Sequence, residues 1–278
     1  MTVEMVGHRE FVRAVSPRVS GQAVQPPVSM IERMTVILDA FDAETPTVTL
    51  LGLTERTGLP RSTVYRILDQ MVRLRWLTHT PGGYRLGARA FEIGALAASH
   101  NEIREVAAPL LQDLCHRLSM AGHLAVLDGR EVLFLDKAGG RQAAAVPTRL
   151  GGRLPAHSTA LGKAMLATLE PRLVDASLRE RLPQLTARTI ADRAELHREL
   201  RRVRRQGGVA VDVEESVDGL CCVAVPLRRR GSAVAAISVS AYVDGDRPAL
   251  DTARLARCLV ETAQEAAREL IPRHTRLR

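Results

Sequence analysis

The segment Leu50–Leu74, LLGLTERTGLPRSTVYRILDQMVRL, leaves the chain few choices, because a glycine and a proline split it into two helices. Gly58 reaches the left-handed conformation that closes a helix without a Cβ penalty. Pro60 suits a first helical position, where its missing N–H costs nothing. Beyond it, Val64, Ile67, Leu68 and Met71 recur at the i, i+3, i+4, i+7 spacing of one buried face. Arg61, Ser62, Thr63, Tyr65 and Arg66 fall on the opposite side, crowded at the helix start. Cations, hydroxyls and a ring in that place are what a recognition helix presents to base edges and phosphates in a major groove. An ordinary helical hairpin with one polar face fits the same spacing.

The next residues separate the two readings. Trp76-Leu77-Thr78 and Tyr84-Arg85-Leu86 flank Pro81-Gly82-Gly83, which predicts a short β-hairpin with a Gly-Gly turn. Helix, turn, helix and hairpin make the winged arrangement, with Arg85 on a wing that lies against the sugar-phosphate backbone. Between Pro60 and Arg89 there are six arginines and one acid, Asp69. Upstream, Ser29 and Glu32 have capping-box spacing and start a helix whose stripe is Ile31, Met34, Ile37, Leu38 and Phe41. The short Thr47-Val48 segment can pair with the wing. A winged helix-turn-helix over residues 29–88 is expected, with double-stranded DNA as its partner.

A chain of 278 residues with 46% apolar content has room for two cored domains. The net charge of +8 and a pI near 10.1 agree with a polyanionic partner. The four cysteines (Cys115, Cys221, Cys222, Cys258) show no CxxC spacing, and adjacent Cys221 and Cys222 point to opposite faces of a strand. A reducing cytoplasm is expected. No apolar run approaches the roughly 18 residues of a membrane span, and no basic-then-apolar leader is visible. The eight histidines lack HxxxH or HxH spacing, so neither a metal nor another cofactor is expected.

Residues 1–28 mix Val, Pro, Gly, Gln and Ser without a period and predict a flexible arm. A helical linker is expected over 89–101, where Phe91, Ile93, Leu96 and Ala97 offer a surface for pairing with a second chain. Asn101 caps the helix that follows, with Pro109 in its early part. At Gly122 the period changes from 3.6 to 2. Strands are predicted at His123–Leu127 and Glu131–Leu135 around Asp128-Gly129, with a loop or strand at Ala143–Val146. A turn then leads into a helix ending near Leu169, followed by helices Pro171–Leu182 and Arg193–Gln206. Strands Val209–Val213, Cys221–Leu227 and Val234–Val239 and a helix from Leu250 to Leu270 complete an α+β domain over 102–272, an antiparallel sheet flanked by helices.

Within that domain several groups suit a small-molecule pocket. Ser158 and Thr159 begin a helix, where unpaired N–H groups favour an anion, although simple capping explains them equally. Ser238 and Ser240, two apart on an apolar strand, face the same side and need partners. Asp212 ends a strand ahead of Glu214-Glu215, and Cys222 sits among Val223, Ala224 and Val225. Together they suit a small carboxylic acid with an oxygen substituent. The helix end would take the carboxylate, the serines the neighbouring oxygen, and Asp212 would accept from a hydroxyl. A Cys222–His157 nucleophile–base pair is the enzymatic alternative, but an apolar strand raises a thiol pKa, the opposite of activation. A sequence-tolerant architectural DNA protein would not need the second domain.

The chain resembles the IclR family of bacterial transcriptional regulators from Ser29 onward. In the reader the resemblance lies in Leu53-Thr54-Glu55-Arg56-Thr57-Gly58-Leu59-Pro60-Arg61-Ser62-Thr63-Val64-Tyr65-Arg66. In the second domain it lies in His157-Ser158-Thr159-Ala160-Leu161-Gly162-Lys163-Ala164, Asp212 through Glu215, Gly219-Leu220-Cys221-Cys222-Val223-Ala224 and Ala236-Ile237-Ser238-Val239-Ser240. It implies a winged reader joined by a helix to a GAF-like effector domain, working as a homodimer or homotetramer and not as an enzyme. It implicates Ala160, Leu161, Asp212, Cys222, Ser238 and Ser240 in ligand binding. Val209, Val213, Cys221 and Ala241 depart from the family pattern. The expected function is a ligand-responsive regulator, a repressor rather than an activator, that reads a palindromic operator and senses a small carboxylate.

Overall fold

The computed structural model describes residues 29–242 and 250–270. The arm expected over 1–28 and the last two positions expected in the second domain, 271–272, lie outside them. The chain forms two compact units that meet between His100 and Asn101. Among the described residues no helix is long and apolar enough to cross a membrane.

The first unit opens with helix α1 (Met30–Leu38), capped by the reciprocal Ser29–Glu32 box. Helix α2 (Leu50–Thr57) is capped by the Thr49 hydroxyl and closed by Gly58 at φ +68°. Helix α3 (Arg61–Arg73) follows after one extended residue pair. Pro60 stands at its cap, one position earlier than the sequence suggested, because ψ of 137° keeps it extended. Ile37, Leu53, Val64, Ile67, Leu68 and Met71 form the core of the three helices. Ile31, expected in that stripe, is 78% exposed. It lies in the first turn of α1 and belongs to no buried cluster among the described residues.

Strands β1 (Leu77–Thr80) and β2 (Gly83–Leu86) make the hairpin, and Val48 adds an antiparallel bridge to Tyr84. The turn is Pro81-Gly82 and not Gly82-Gly83, since Gly83 already pairs with Thr80. Gly83 has another task. At φ +129° it brings the hairpin against the backbone, and a Cβ there would lie 2.5 Å from the Val48 carbonyl oxygen. Helix α4 (Ala88–Ser99) ends the unit without a single buried residue.

The second unit starts with helix α5 (Glu102–Leu118), capped by Asn101 and carrying Pro109 in its interior. Strands β3 (Ala121–Asp128) and β4 (Glu131–Ala138) form a hairpin longer than the sequence suggested. The next segment corrects the expectation of a loop or strand at Ala143–Val146. It is the short helix α6 (Gly140–Ala145), in keeping with the high helix propensity of its alanine run. Strand β5 (Arg153–Pro155) leads through a 3-10 turn at Ala156–Ser158 into α7 (Ala160–Leu166). Helix α7 stops three residues before Leu169. Helix α8 (Pro171–Ser177) is also shorter than expected. Helix α9 (Arg193–Arg205), β6 (Ala210–Val213), β7 (Leu220–Arg229), β8 (Ser232–Tyr242) and α10 (Thr252–Glu269) follow.

The six strands lie in the order β5-β4-β3-β8-β7-β6, and every neighbouring pair is antiparallel. Period-2 alternation gives the sheet two buried faces. Leu124, Val223, Val225, Ile237 and Val239 pack against α5 and α10. Ala125, Ala210, Ala224 and Ala236 pack against α7, α8 and α9. Small side chains on that second face let α7 come close, and all seven of its residues are buried.

Replacing Gly83 tests the hairpin packing. Gly83→Ala is expected to destabilise the first unit by about 1–3 kcal/mol, through both φ strain and the Val48 contact. Gly58→Ala, which has φ strain and open space around it, should cost less. Urea unfolding followed through Trp76, the only tryptophan in the chain, reads both, and equal midpoints would refute the contact.

Candidate functional site

On α3 the buried face takes Val64, Ile67, Leu68 and Met71, so helical geometry turns the intervening residues outward. Arg61, Ser62, Tyr65 and Arg66 are exposed and Thr63 is half-buried, while Arg85 is exposed on β2. The six arginines between Pro60 and Arg89 divide cleanly. Arg73 pairs with Asp69 at 3.2 Å, Arg75 with Glu92 at 3.0 Å and Arg89 with Glu92 at 3.6 Å. Arg61, Arg66 and Arg85 have no acidic partner among the described residues. The unneutralised charge therefore sits on the helix start and the hairpin. Tyr84 packs its ring 4.7 Å from His79, holding the strand that carries Arg85.

The second unit holds a cavity on the sheet face below α7. Its walls include all six residues anticipated there: Ala160, Leu161, Asp212, Cys222, Ser238 and Ser240. Register explains the convergence. Asp212 pairs with Cys222, and Cys222 with Ser240, in one row across β6, β7 and β8. In the next row Ser238 pairs with His123, and His123 with Lys137, across β8, β3 and β4. Phe134, Leu154, Val146, Val217 and Leu220 supply the apolar wall. The centre of a water-sized sphere can occupy only about 20 Å³ of this space, room for roughly one water.

Ser240 Oγ is buried and has no hydrogen-bond partner among the described residues. It lies across the ladder from the Cys222 thiol, but the pair does not meet the geometry of a hydrogen bond. Asp212 is buried, and burial pushes its carboxyl up to about 6 even though it accepts from the Ser216 hydroxyl and the Glu215 N–H. Burial, reinforced by Asp212, raises the Cys222 thiol well above its ordinary value. Burial and the nearby Lys137 charge push His123 down to about 3, so its ring is neutral, with Nε2 2.7 Å from Thr148 Oγ1. His157 is likewise lowered by burial and bonds the Pro183 carbonyl, away from any thiol partnership.

The first turn of α7 behaves as a cap. Thr159 Oγ1 accepts from the Gly162 N–H, and the Ser158 hydroxyl donates to the Pro155 carbonyl. The remaining first-turn N–H groups, those of Ala160 and Leu161, have no intrahelical acceptor. One turn on, Lys163 is 1% exposed and binds the Glu215 carboxylate, with Glu199 at 3.5 Å. Glu199 is held in turn by both arms of the Arg202 fork at 2.7 Å. Burial pushes Glu215 up to about 7 against the pull of Lys163, and its second oxygen has no partner among the described residues.

His123, Thr148, Phe134 and Ser216 were not singled out by the sequence, nor was the buried Lys163–Glu215 pair. Strand alternation could have found His123, because it sits one strand over from Ser238. Nothing in the spacing marks Thr148, which reaches the cavity from an irregular segment.

A helix-turn-helix with a β-hairpin, followed by a sheet domain whose cavity joins hydroxyls and a carboxyl to an apolar wall, is the architecture of a DNA-binding transcriptional regulator with an effector domain. Residues 30–81 match the IclR helix-turn-helix domain, and residues 95–270 match the bacterial transcriptional regulator IclR C-terminal domain. The chain belongs to the IclR family. It is 35% identical over 219 residues to the HTH-type transcriptional regulator XynR of Escherichia coli K12, covering 77% of this chain and 86% of XynR. It is 33% identical over 202 residues to the regulator TtgV of Pseudomonas putida, covering 72% and 76%. Among solved structures, an IclR homolog from Microbacterium hydrocarbonoxydans complexed with 4-hydroxybenzoate aligns at TM-score 0.76 and 29% identity, covering 87% of this chain and 99% of that one. The Thermotoga maritima IclR aligns at TM-score 0.69 and 27% identity, covering 87% and 98%.

The raised Glu215 carboxyl sets a pH dependence with a definite sign. Between about 4.5 and about 7 the folded chain keeps a proton that the unfolded chain has released, so this group's contribution to stability falls as pH rises. Glu215→Gln, which stands in for the protonated acid, is expected to match the parent near pH 4.5 and to lack that decline, so that the two profiles separate as pH rises. Chemical unfolding at intervals from pH 4.5 to 7.5 measures it, and parallel profiles would show that Glu215 is ionised throughout.

Proposed function

We propose that the chain is a ligand-responsive repressor that reads a palindromic operator and senses a small carboxylate. In this reading residues 29–88 are the reader, 89–101 the linker and 102–272 the sensor, acting in the cytoplasm. The observation that carries the sensor half is the single cavity joining Ala160, Leu161, Asp212, Cys222, Ser238 and Ser240, with the Ser240 hydroxyl buried and unpartnered. A buried donor without an acceptor is unfavourable unless something else meets it. The free N–H groups of Ala160 and Leu161 and the two serines can bind oxygens of an acid, and Asp212 can accept from a hydroxyl. The complex of the Microbacterium homolog with 4-hydroxybenzoate supports an acid of this kind.

For the reader, the three unneutralised arginines support Arg61, Ser62, Thr63, Tyr65 and Arg66 as the groove-facing set, with Arg85 on the phosphates. Phe91, Ile93 and Leu96 lie exposed on a helix with no buried residue, which supports a second copy of the chain as their cover and hence a homodimer or homotetramer. Two-fold pairing of readers matches a palindromic site. The ligand must bind the DNA-competent and DNA-released arrangements with different affinity, since equal binding shifts nothing.

Two substitutions separate the halves. Arg61→Ala should weaken binding to the operator by about 1–3 kcal/mol and relax preference at one base position. A titration showing full affinity and unchanged preference would remove Arg61 from the groove. Ser238→Ala should leave DNA affinity intact and abolish release by the effector, and an unaltered effector titration would refute its role.

A further inference from the structure

Among the described residues the cavity wall contains an acid and no available cation. Asp212 lines it, His123 is neutral, and Lys163 is already held by Glu215 and Glu199. Helix α7 has seven residues, so its N-terminus offers two N–H groups and only a small dipole. A carboxylate entering here would meet repulsion and no counter-charge. One cation stands immediately behind the wall. Lys137 follows Asp136 on β4 and sits opposite His123, so its side chain rises on the cavity face of the sheet. Its ammonium donates to the backbone carbonyls of Val146 and Thr148, each at 2.7 Å. The side chains of those same two residues line the cavity.

Resting on the carboxylate reading above, we propose that Lys137 is the ligand's charge partner, and that the Val146 and Thr148 carbonyls occupy its place until an acid arrives. Two carbonyl oxygens on one ammonium present the same pair of acceptors as the two oxygens of a carboxylate, but without the charge. Charged acceptors bind an ammonium more strongly than neutral ones, so the exchange favours the acid. The segment that must yield is built to do so. It leaves β4 through Gly139 and Gly140 at φ +113° and +54°, and rejoins β5 after Gly151 at φ +71°. Between those glycines Lys137 holds its carbonyls, His123 holds Thr148, the Tyr242 hydroxyl donates to the Ala145 carbonyl, and Ala143 and Val146 pack against Ala121, Val217 and Leu220. A space that admits about one water cannot take an acid of several heavy atoms while this strap is down. Entry therefore lifts the strap, and lifting the strap frees the lysine. The acid group is then assigned to the His123–Thr148 end, which leaves the serines, Asp212 and the α7 N–H groups for its oxygen substituent.

Calorimetry on the full chain with acetate, hydroxyacetate, benzoate and 4-hydroxybenzoate, each beside its amide, tests the assignment. The parent should prefer the best-bound acid over its amide. Lys137→Met and Lys137→Gln should each bind that acid at least tenfold more weakly and the amide within twofold of the parent, while Lys137→Arg keeps the preference. Neutral variants that bind the acid as the parent does would overturn the role of Lys137 and leave carboxylate sensing standing. A parent that prefers no acid over its amide would overturn both. Hydrogen exchange on the parent alone gives a second reading: the best-bound acid should speed exchange across residues 139–152, and unchanged protection there would overturn the displacement.

Discussion

A lysine ammonium removed from water holds its charge only where carboxylates come to it, and the second unit is arranged around that demand. Lys163 lies on a helix with no exposed residue, wedged between the alanine-rich sheet face and α9. The helix cannot retreat toward the 3-10 turn either, since a Cβ on Gly162 would come within 2.0 Å of the Ala156 carbonyl oxygen. Glu215 must therefore reach inward from the loop after β6. Its own N–H binds the Asp212 carboxylate, and Ser216 beside it donates to the same group. The ion pair thus fixes the turn that forms one wall of the cavity. Glu199, held by Arg202, ties the same ammonium to α9.

Burial biases five titratable groups in and beside the cavity wall toward their uncharged forms. Burial raises Asp212 and Glu215, lowers His123 and raises the thiols of Cys221 and Cys222. A thiol in that condition is a weak nucleophile, and a neutral imidazole bonded to Thr148 is not poised to deprotonate it. The arrangement suits recognition by hydrogen bonds. It discriminates through donors and acceptors that are costly to leave unmet, which is also how a binding site rejects an analogue lacking the matching group.

The pattern of the chain carried the first unit almost completely, because helix periodicity, a glycine closure and a capping box each have a local cause. It also gave the strand alternation that puts Asp212, Cys222, Ser238 and Ser240 on one face. What it could not carry depends on distant partners. The alanines at 143–145 suit helix and buried strand alike, and only the path from β4 to β5 decides between them. Ile31 and Phe91 have apolar side chains at helical spacing, yet both are exposed among the described residues. Lys163 reads as a solvated charge until two glutamates, 36 and 52 residues away, fold onto it. The wing glycine shows the same limit: Gly83 reads as turn material, whereas its backbone serves a contact with Val48.

The arginines of the first unit show how little a charge count says by itself. Arg75 and Arg89 both meet Glu92 and so join the hairpin entrance to α4, a structural use that leaves them partly neutralised. Only Arg61, Arg66 and Arg85 retain a free charge toward solvent on the helix and hairpin. On duplex DNA each phosphate neutralised releases roughly 0.9 of a counterion, so a salt dependence reports the arginines left unpaired and not the number in the sequence. The apolar side chains of α4 are spent differently from these arginines: Phe91 is 78% exposed and meets no cover among the described residues, so helical spacing of apolar residues says as little about burial as an arginine count says about free charge.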